Sequence, residues 1–139
     1  SGNTICEADH LFATRLWQNN SKVHFDINAR EDKKRLIYGG HIISLVRALS
    51  FNGLENAQVI VGINGGTHAN PVFAEDTIYC WSEVLDKIDL NDRNIAALRL
   101  RSVGTKEKNH NMRLKSDDGK YLPTIVLDFD YWVLVPKEL

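Results

Sequence analysis

The stretch from His41 to Asn52 is apolar on almost every side and is framed by glycines, Gly39-Gly40 before it and Gly53 after it. Ile42, Ile43, Leu45, Val46, Ala48, Leu49 and Phe51 recur too densely for one face of a surface helix, while His41, Ser44, Arg47 and Ser50 form only a narrow stripe. A helix of that kind belongs inside a fold, and Gly53 supplies its C-terminal stop. Beyond Gly53 the chain reads as strands. Gln58–Ile63, Thr77–Leu85, Ile95–Val103 and Thr124–Val135 are rich in β-branched and aromatic residues. In the last of these, Leu127, Phe129, Tyr131 and Val133 alternate with Asp128 and Asp130, and Leu98 and Leu100 alternate with Arg99 and Arg101 in the one before it. Such period-two alternation marks half-buried antiparallel strands. A sheet with one apolar face must cover something, and helix 41–52 matches it in hydrophobicity. The expected fold is α+β, a long antiparallel sheet wrapped around a central apolar helix.

The flanking segments are more polar. Thr4 and Glu7 have the spacing of a capping box, and Ala8, Leu11, Phe12, Arg15 and Leu16 continue at helical spacing until Asn19-Asn20-Ser21. Residues 28–35 read as a short helix or an exposed loop. Lys106–Tyr121, with the turn signal Asp118-Gly119, reads as a long, mobile hairpin loop. At 139 residues the chain fits one domain, 1–139, with a core that needs no staples. Cys6 and Cys80 are too few for a disulfide framework and read as reduced, partly buried thiols of a cytoplasmic protein. A net charge of −1 leaves no electrostatic footprint for nucleic acid or an anionic membrane. No apolar run reaches the roughly 18 residues of a spanning helix, and no charged-then-apolar leader opens the chain.

Two features bear on chemistry. Tyr38-Gly39-Gly40 stands at the mouth of the apolar helix, where unpaired N–H groups and the positive end of the helix dipole coincide and glycine lets a ligand approach the backbone. An oxygen that gains negative charge during a reaction is stabilised at such a spot. The polar run Asn19–Ser21 leads into His24, whose imidazole can carry a proton. Taken singly, Gly-Gly is an ordinary turn and His24 an ordinary exposed histidine. His24, His41, His68 and His110 lack metal-ligand spacing, so no metal is expected.

The stretches ATRLWQNNSKVHFD (13–26), RLIYGGHIISLVRALSFNGLENA (35–57), FAEDTIYCWSEVLD (73–86), ALRLRSVGTK (97–106) and VLDFDYWVLVPKE (126–138) together resemble the MaoC-like (R)-specific enoyl-CoA hydratases, above all the branch acting on mesaconyl-type thioesters. The resemblance implies a hot-dog fold and reversible addition of water to an enoyl-CoA, with no cofactor beyond the CoA carried by the substrate. It places the family's catalytic histidine at His24 and its acid, five residues earlier, at Asn19. Asparagine cannot act as a base, so His24 is left as the proton carrier and Asn19 is expected to hold the water. Gly40, beside Gly39, falls on the glycine whose N–H meets the thioester oxygen. Glu75 falls where a glycine is commoner. The resemblance further implies a second half of a two-repeat protein, lacking the strand that precedes the Thr4 helix, and hence pairing as a homodimer or with another hot-dog domain.

Other residues have two readings each. Lys33, Lys34 and Arg35 meet the CoA phosphates or form a solvated basic face. Arg47 pairs with Asp128 and Asp130, the favoured reading, or with a substrate carboxylate. Asn64–His68 lies beside the site or, as favoured, is a bend in a strand. Trp17, Trp81 and Trp132 read as core or interface. The rival functions are an acyl-CoA thioesterase and a CoA-binding half-domain without chemistry of its own.

Overall fold

The computed structural model describes residues 1–57, 59–92, 94–108 and 111–137. Gln58, expected to open the first long strand, and His110 lie outside the described residues. The order of elements is β1 (Asn3–Thr4), α1 (Glu7–Leu16), single 3-10 turns at Lys22–His24 and Ile27–Ala29, α2 (Gly39–Leu49), a short turn α3 (Phe51–Leu54), then β2 (Val59–His68), β3 (Thr77–Asp89), β4 (Ile95–Thr105) and β5 (Ile125–Pro136). The strands form one antiparallel sheet in the order β1-β3-β4-β5-β2. It curves around α2, as the pattern of apolar residues requires.

The alternation in β4 and β5 is the cause of this arrangement. Leu127, Phe129, Tyr131 and Val133 all face inward, join Ile78 and Leu100, and pack against Ile42 and Val46 of α2. On the outer face Arg99 pairs with Asp130 at 2.6 Å and Arg101 with Asp128 at 3.0 Å. The Arg99 hydrogen bond holds the Asp130 carboxyl below its usual range. Those aspartates are therefore not the partners of Arg47. Arg47 instead donates to Tyr131 Oη at 2.9 Å and to the Ala57 carbonyl at 2.6 Å, because it projects from α2 on the opposite side of the sheet. The loop after β4 does not stand away from the molecule. Leu114, Tyr121 and Leu122 fold back over Trp81, Val103 and Ile125 to make a second small core on the outer face.

Close packing of α2 on the sheet depends on Gly104. A Cβ there would lie 2.8 Å from Val46 Cγ2 and 3.2 Å from Val126 Cγ2. Gly104→Val is expected to lower stability by about 1–3 kcal/mol through overpacking, read as a lower urea midpoint with an unchanged slope.

Several expectations need correction. Thr4 does not cap α1: it lies in β1 opposite Thr77, its hydroxyl 2.7 Å from that of Thr77, and Cys6 precedes the helix without a side-chain cap. A strand before that helix is therefore present, though only two residues long. The helix α2 is covered by the sheet on one side only; Ile42 and Val46 are buried, whereas Ser44 and Ala48 are exposed. It ends at Leu49, and Gly53, with φ of +93°, turns the chain afterwards. Finally, α1 buries its polar side. His10 and Thr14 are fully buried, while Phe12, Leu16 and Trp17 are 65%, 60% and 70% exposed. Of the two free cysteines, Cys6 is exposed. No helix among the described residues is long and apolar enough to cross a membrane.

Candidate active site at the mouth of the central helix

A cavity of about 550 Å³ opens where α2 begins. His24, Tyr38, Gly39, Gly40, His68 and Asn70 supply its polar lining, and Leu36, Ile37, Ile42, Val72 and Val126 its apolar walls. Chain connectivity explains the gathering. The 3-10 turn carrying His24 is bound back to the segment before α2, with the Leu36 N–H donating to the Val23 carbonyl at 2.9 Å, and the Ile37 N–H donating to the Val72 carbonyl at 2.9 Å. Asn70 donates from Nδ2 to the Leu122 and Ile125 carbonyls at 3.0 and 2.7 Å, which anchors the cavity floor to β5.

The geometry fixes the tautomer of His24. Its Nδ1 lies 2.8 Å from the Leu36 carbonyl oxygen. A carbonyl only accepts, so Nδ1 carries the hydrogen and Nε2 of the neutral ring keeps a free lone pair. Beside it stand the first residues of α2. Tyr38 precedes the helix and its carbonyl accepts from the His41 and Ile42 N–H groups at 3.0 and 3.3 Å. The N–H groups of Gly39 and Gly40 belong to the first turn, which has no intrahelical acceptor for them. A side chain at either glycine would push aside a ring that lines the cavity. A Cβ on Gly39 would lie 2.5 Å from His68 Nε2, and one on Gly40 2.7 Å from the Tyr38 ring. The cavity therefore joins a base and a pair of backbone donors in one apolar-walled space.

His68 closes one side of this space. It ends β2, which continues straight through Asn64-Gly65-Gly66 with register shifts at Ile60/Gly62 and Ile63/Gly65. The glycine run thus marks an irregular strand and also delivers a site residue. Partial desolvation by the cavity walls lowers the His68 and His41 imidazole pKa values, although His68 keeps an exposed edge.

The structure separates other residues from the cavity. Asn19 lines a different concavity with Thr14, Phe25 and Arg35, and its side-chain carbonyl accepts the Ser21 N–H at 2.9 Å. It is not among the residues that line the His24 cavity, where the sequence led one to expect it. Lys33, Lys34 and Arg35 line a third concavity with Glu7 and Phe73. Arg35 is spent on Glu7, at 2.7 Å, and on the Phe25 carbonyl, at 2.9 Å. Lys33 donates to Asn28 and Lys34 lies 5.7 Å over the Phe73 ring.

One residue that backs the site was not legible as such in the sequence. His10, on α1, accepts the Tyr38 N–H on its Nε2 at 2.9 Å, and its ring lies 6.4 Å from that of His24 and 6.2 Å from that of His41. Its only signal was a histidine at the helical spacing of Thr14, opposite the apolar stripe. Among the described residues no three His, Cys, Asp or Glu side chains are grouped to hold a metal ion.

Comparison with known proteins places these features. No protein-family model matches the chain. Over 98% of its length it is similar to part of mesaconyl-CoA hydratase from Cereibacter sphaeroides, at 59% identity, and to part of β-methylmalyl-CoA dehydratase from Chloroflexus aurantiacus, at 52%. Among solved structures, a MaoC domain protein dehydratase from Chloroflexus aurantiacus superposes on the whole chain with a TM-score of 0.94 at 50% identity, using 41% of its own chain. A Mycobacterium tuberculosis protein with a double hot-dog fold superposes on 99% of the chain, and on 37% of its own, with a TM-score of 0.64 at 23% identity. The chain has the hot-dog fold. It spans 40% of the length of each of the two curated relatives. The hot-dog helix is α2, and the cavity lies at its N-terminus. Glu75, at the position where the resemblance leads one to expect glycine, has φ of +73°, so the turn keeps a glycine-like backbone without the glycine.

Proposed function

We propose that this hot-dog unit hydrates and dehydrates an enoyl-CoA thioester in the cavity at the start of α2, the substrates named for its relatives being the first candidates. The observation that carries this reading is the joint placement of His24 Nε2 and the unpaired Gly39 and Gly40 N–H groups in one cavity. In the hydration direction, the Nε2 lone pair of His24 takes a proton from water as the water oxygen bonds to the β-carbon. The double-bond electrons move onto the thioester as an enolate, whose oxygen the Gly40 and Gly39 N–H groups hold at the positive end of the helix. The imidazolium then returns its proton to the α-carbon. Dehydration runs the same steps backward.

Lys33 and Lys34 make no salt bridge among the described residues and are the cations of their cluster offered to the CoA phosphates; no further cofactor is invoked. Pairing belongs to the same reading. The edge strand β2 leaves Val59, Ile60, Val61 and Ile63 exposed, and a second hot-dog domain added along that edge, from another copy or from a longer chain, would cover them. With Cys6 and Cys80 as free thiols, the protein is assigned to the cytoplasm.

The test is a hydration assay on a panel of enoyl-CoAs that includes mesaconyl-C1-CoA and crotonyl-CoA, with free thiol measured in parallel. Loss of the enoyl absorbance without thiol release is expected. Thiol release alone would make the unit a thioesterase, and binding without turnover would make it a CoA-binding half. Asn19→Asp offers a separate check. Aspartate accepts the same Ser21 N–H, so the fold stays intact and turnover should stay within about threefold of the parent; a loss of about a hundredfold, on the scale of an acid–base group, would return Asn19 to the reaction.

A further inference from the structure

The cavity does not itself use the most deeply buried titratable group near it. His10 is fully buried, and its two nitrogens have unequal fates. Nε2 accepts the Tyr38 N–H at 2.9 Å and lies 3.2 Å from the Thr14 hydroxyl, which itself donates to the His10 carbonyl at 2.8 Å. Nδ1 finds no hydrogen-bond partner among the described residues. Because a main-chain N–H can only donate, Nε2 must be bare, and the ring is the neutral tautomer with its hydrogen on Nδ1. A buried donor left without a partner is a standing cost to the fold. A side chain chosen for packing alone would not carry it.

Tyr38 is where this imidazole acts. Its carbonyl is held by the third and fourth N–H groups of α2, those of His41 and Ile42, and its N–H is held by His10. The residue is thus gripped on both sides of its α-carbon, and the Tyr38–Gly39 peptide plane, to which the Gly39 N–H belongs, is left little freedom. We propose that His10 is a positioning residue for the oxygen site: as a neutral acceptor on α1 it fixes the Tyr38–Gly39 peptide and so aims the donors at the mouth of α2. The proposal rests on the reading of that site as one for a thioester oxygen.

The surroundings keep His10 in the form this role needs. Burial, His41 on α2, His24 on its 3-10 turn and Arg35 all disfavour its protonation, Glu7 alone favours it, and the pKa is held down to about 4. A protonated ring would turn a second N–H toward that of Tyr38 and lose the bond. In the neutral range the acceptor on His10 is therefore retained.

Three substitutions separate positioning from simple packing. Gln carries an amide oxygen near the place of Nε2, Asn is too short to reach Tyr38, and Phe fills the volume with no acceptor. The readouts are kcat and KM for enoyl-CoA hydration, and the C=O stretch of bound butyryl-CoA, a saturated thioester that reports donor alignment without turnover. His10→Asn and His10→Phe are expected to lower kcat at least about tenfold with KM within about threefold, and to move the carbonyl stretch back toward its value in water. His10→Gln is expected to restore both. His10→Asn tests the point even if the Phe variant does not fold. Folded Asn or Phe variants with parental kcat and carbonyl stretch would overturn the proposal, and so would a His10→Gln variant that folds yet restores neither. A parental protein whose bound butyryl-CoA shows no carbonyl shift would instead overturn the thioester reading, and this inference with it.

Discussion

His24→Ala is expected to lower enoyl-CoA hydration by about 10²–10⁴-fold while leaving the protein folded. His24 contributes the lone pair that activates water, and no aspartate or glutamate lines that cavity among the described residues. The substituted protein keeps the Gly39 and Gly40 donors, so substrate should still bind and the loss should fall on kcat. Stability should change little. His24 is only partly buried and spends a single hydrogen bond, to the Leu36 carbonyl, so its removal should cost about 0.5–1.5 kcal/mol, the net worth of an ordinary hydrogen bond. Initial rates by enoyl absorbance, with far-ultraviolet circular dichroism as the check on folding, decide it. Turnover unchanged in a folded His24→Ala protein would remove His24 from the reaction.

Acidification is expected to destabilise the fold well before its carboxylates are protonated. His10 has a folded-state pKa near 4 against 6.5 for the free side chain. Below pH 6.5 the unfolded chain therefore takes up a proton that the folded chain refuses until about pH 4. The unfolded state binds more protons throughout that window, so stability is fully present above it and falls as the pH falls through it. At about 1.4 kcal/mol per pH unit, His10 alone accounts for roughly 3 kcal/mol. The lowered pKa values of His41 and His68 act in the same direction. Asp130, held down by Arg99, has its effect further into acid, below the ordinary carboxylate pKa of 3.8. Urea unfolding at about pH 7 and about pH 4.5 should show the loss, and His10→Gln should flatten it. A parental protein equally stable at both would mean that His10 is not held neutral.

The strands and the central helix were legible because burial wrote a periodic pattern. Leu127, Phe129, Tyr131 and Val133 alternate strictly, and Ile42 and Val46 lie one helical turn apart. His24 and Gly39-Gly40 were found through their resemblance to a known arrangement and do meet in one cavity. The failures share a different cause. On α1 the apolar stripe at Phe12 and Leu16 faces outward and the polar pair His10 and Thr14 faces in, because hydrogen bonds to Tyr38 and within the helix make that burial tolerable. A hydrophobic period cannot register a face buried by hydrogen bonding. Arg47 was matched with Asp128 and Asp130 on charge alone, when the pleat puts both acids on the far side of the sheet.

The strand order has a consequence for how the chain comes off the ribosome. β5 is the last strand of the unit, yet it lies between β4 and β2 and pairs with both. Until Ile125–Pro136 has emerged, β2 has no neighbour and α2 lacks Leu127, Phe129, Tyr131 and Val133 to rest on. Synthesis from the N-terminus therefore produces an interval in which α1, α2 and the strands β1 to β4 exist while α2 has only part of its apolar cover, Ile78 and Leu100, and the fold closes in a late step when β5 joins β4 to β2. A nascent chain arrested just before Ile125 should remain protease-sensitive and be held by chaperones, and the release of some dozen further residues should convert it to a resistant body.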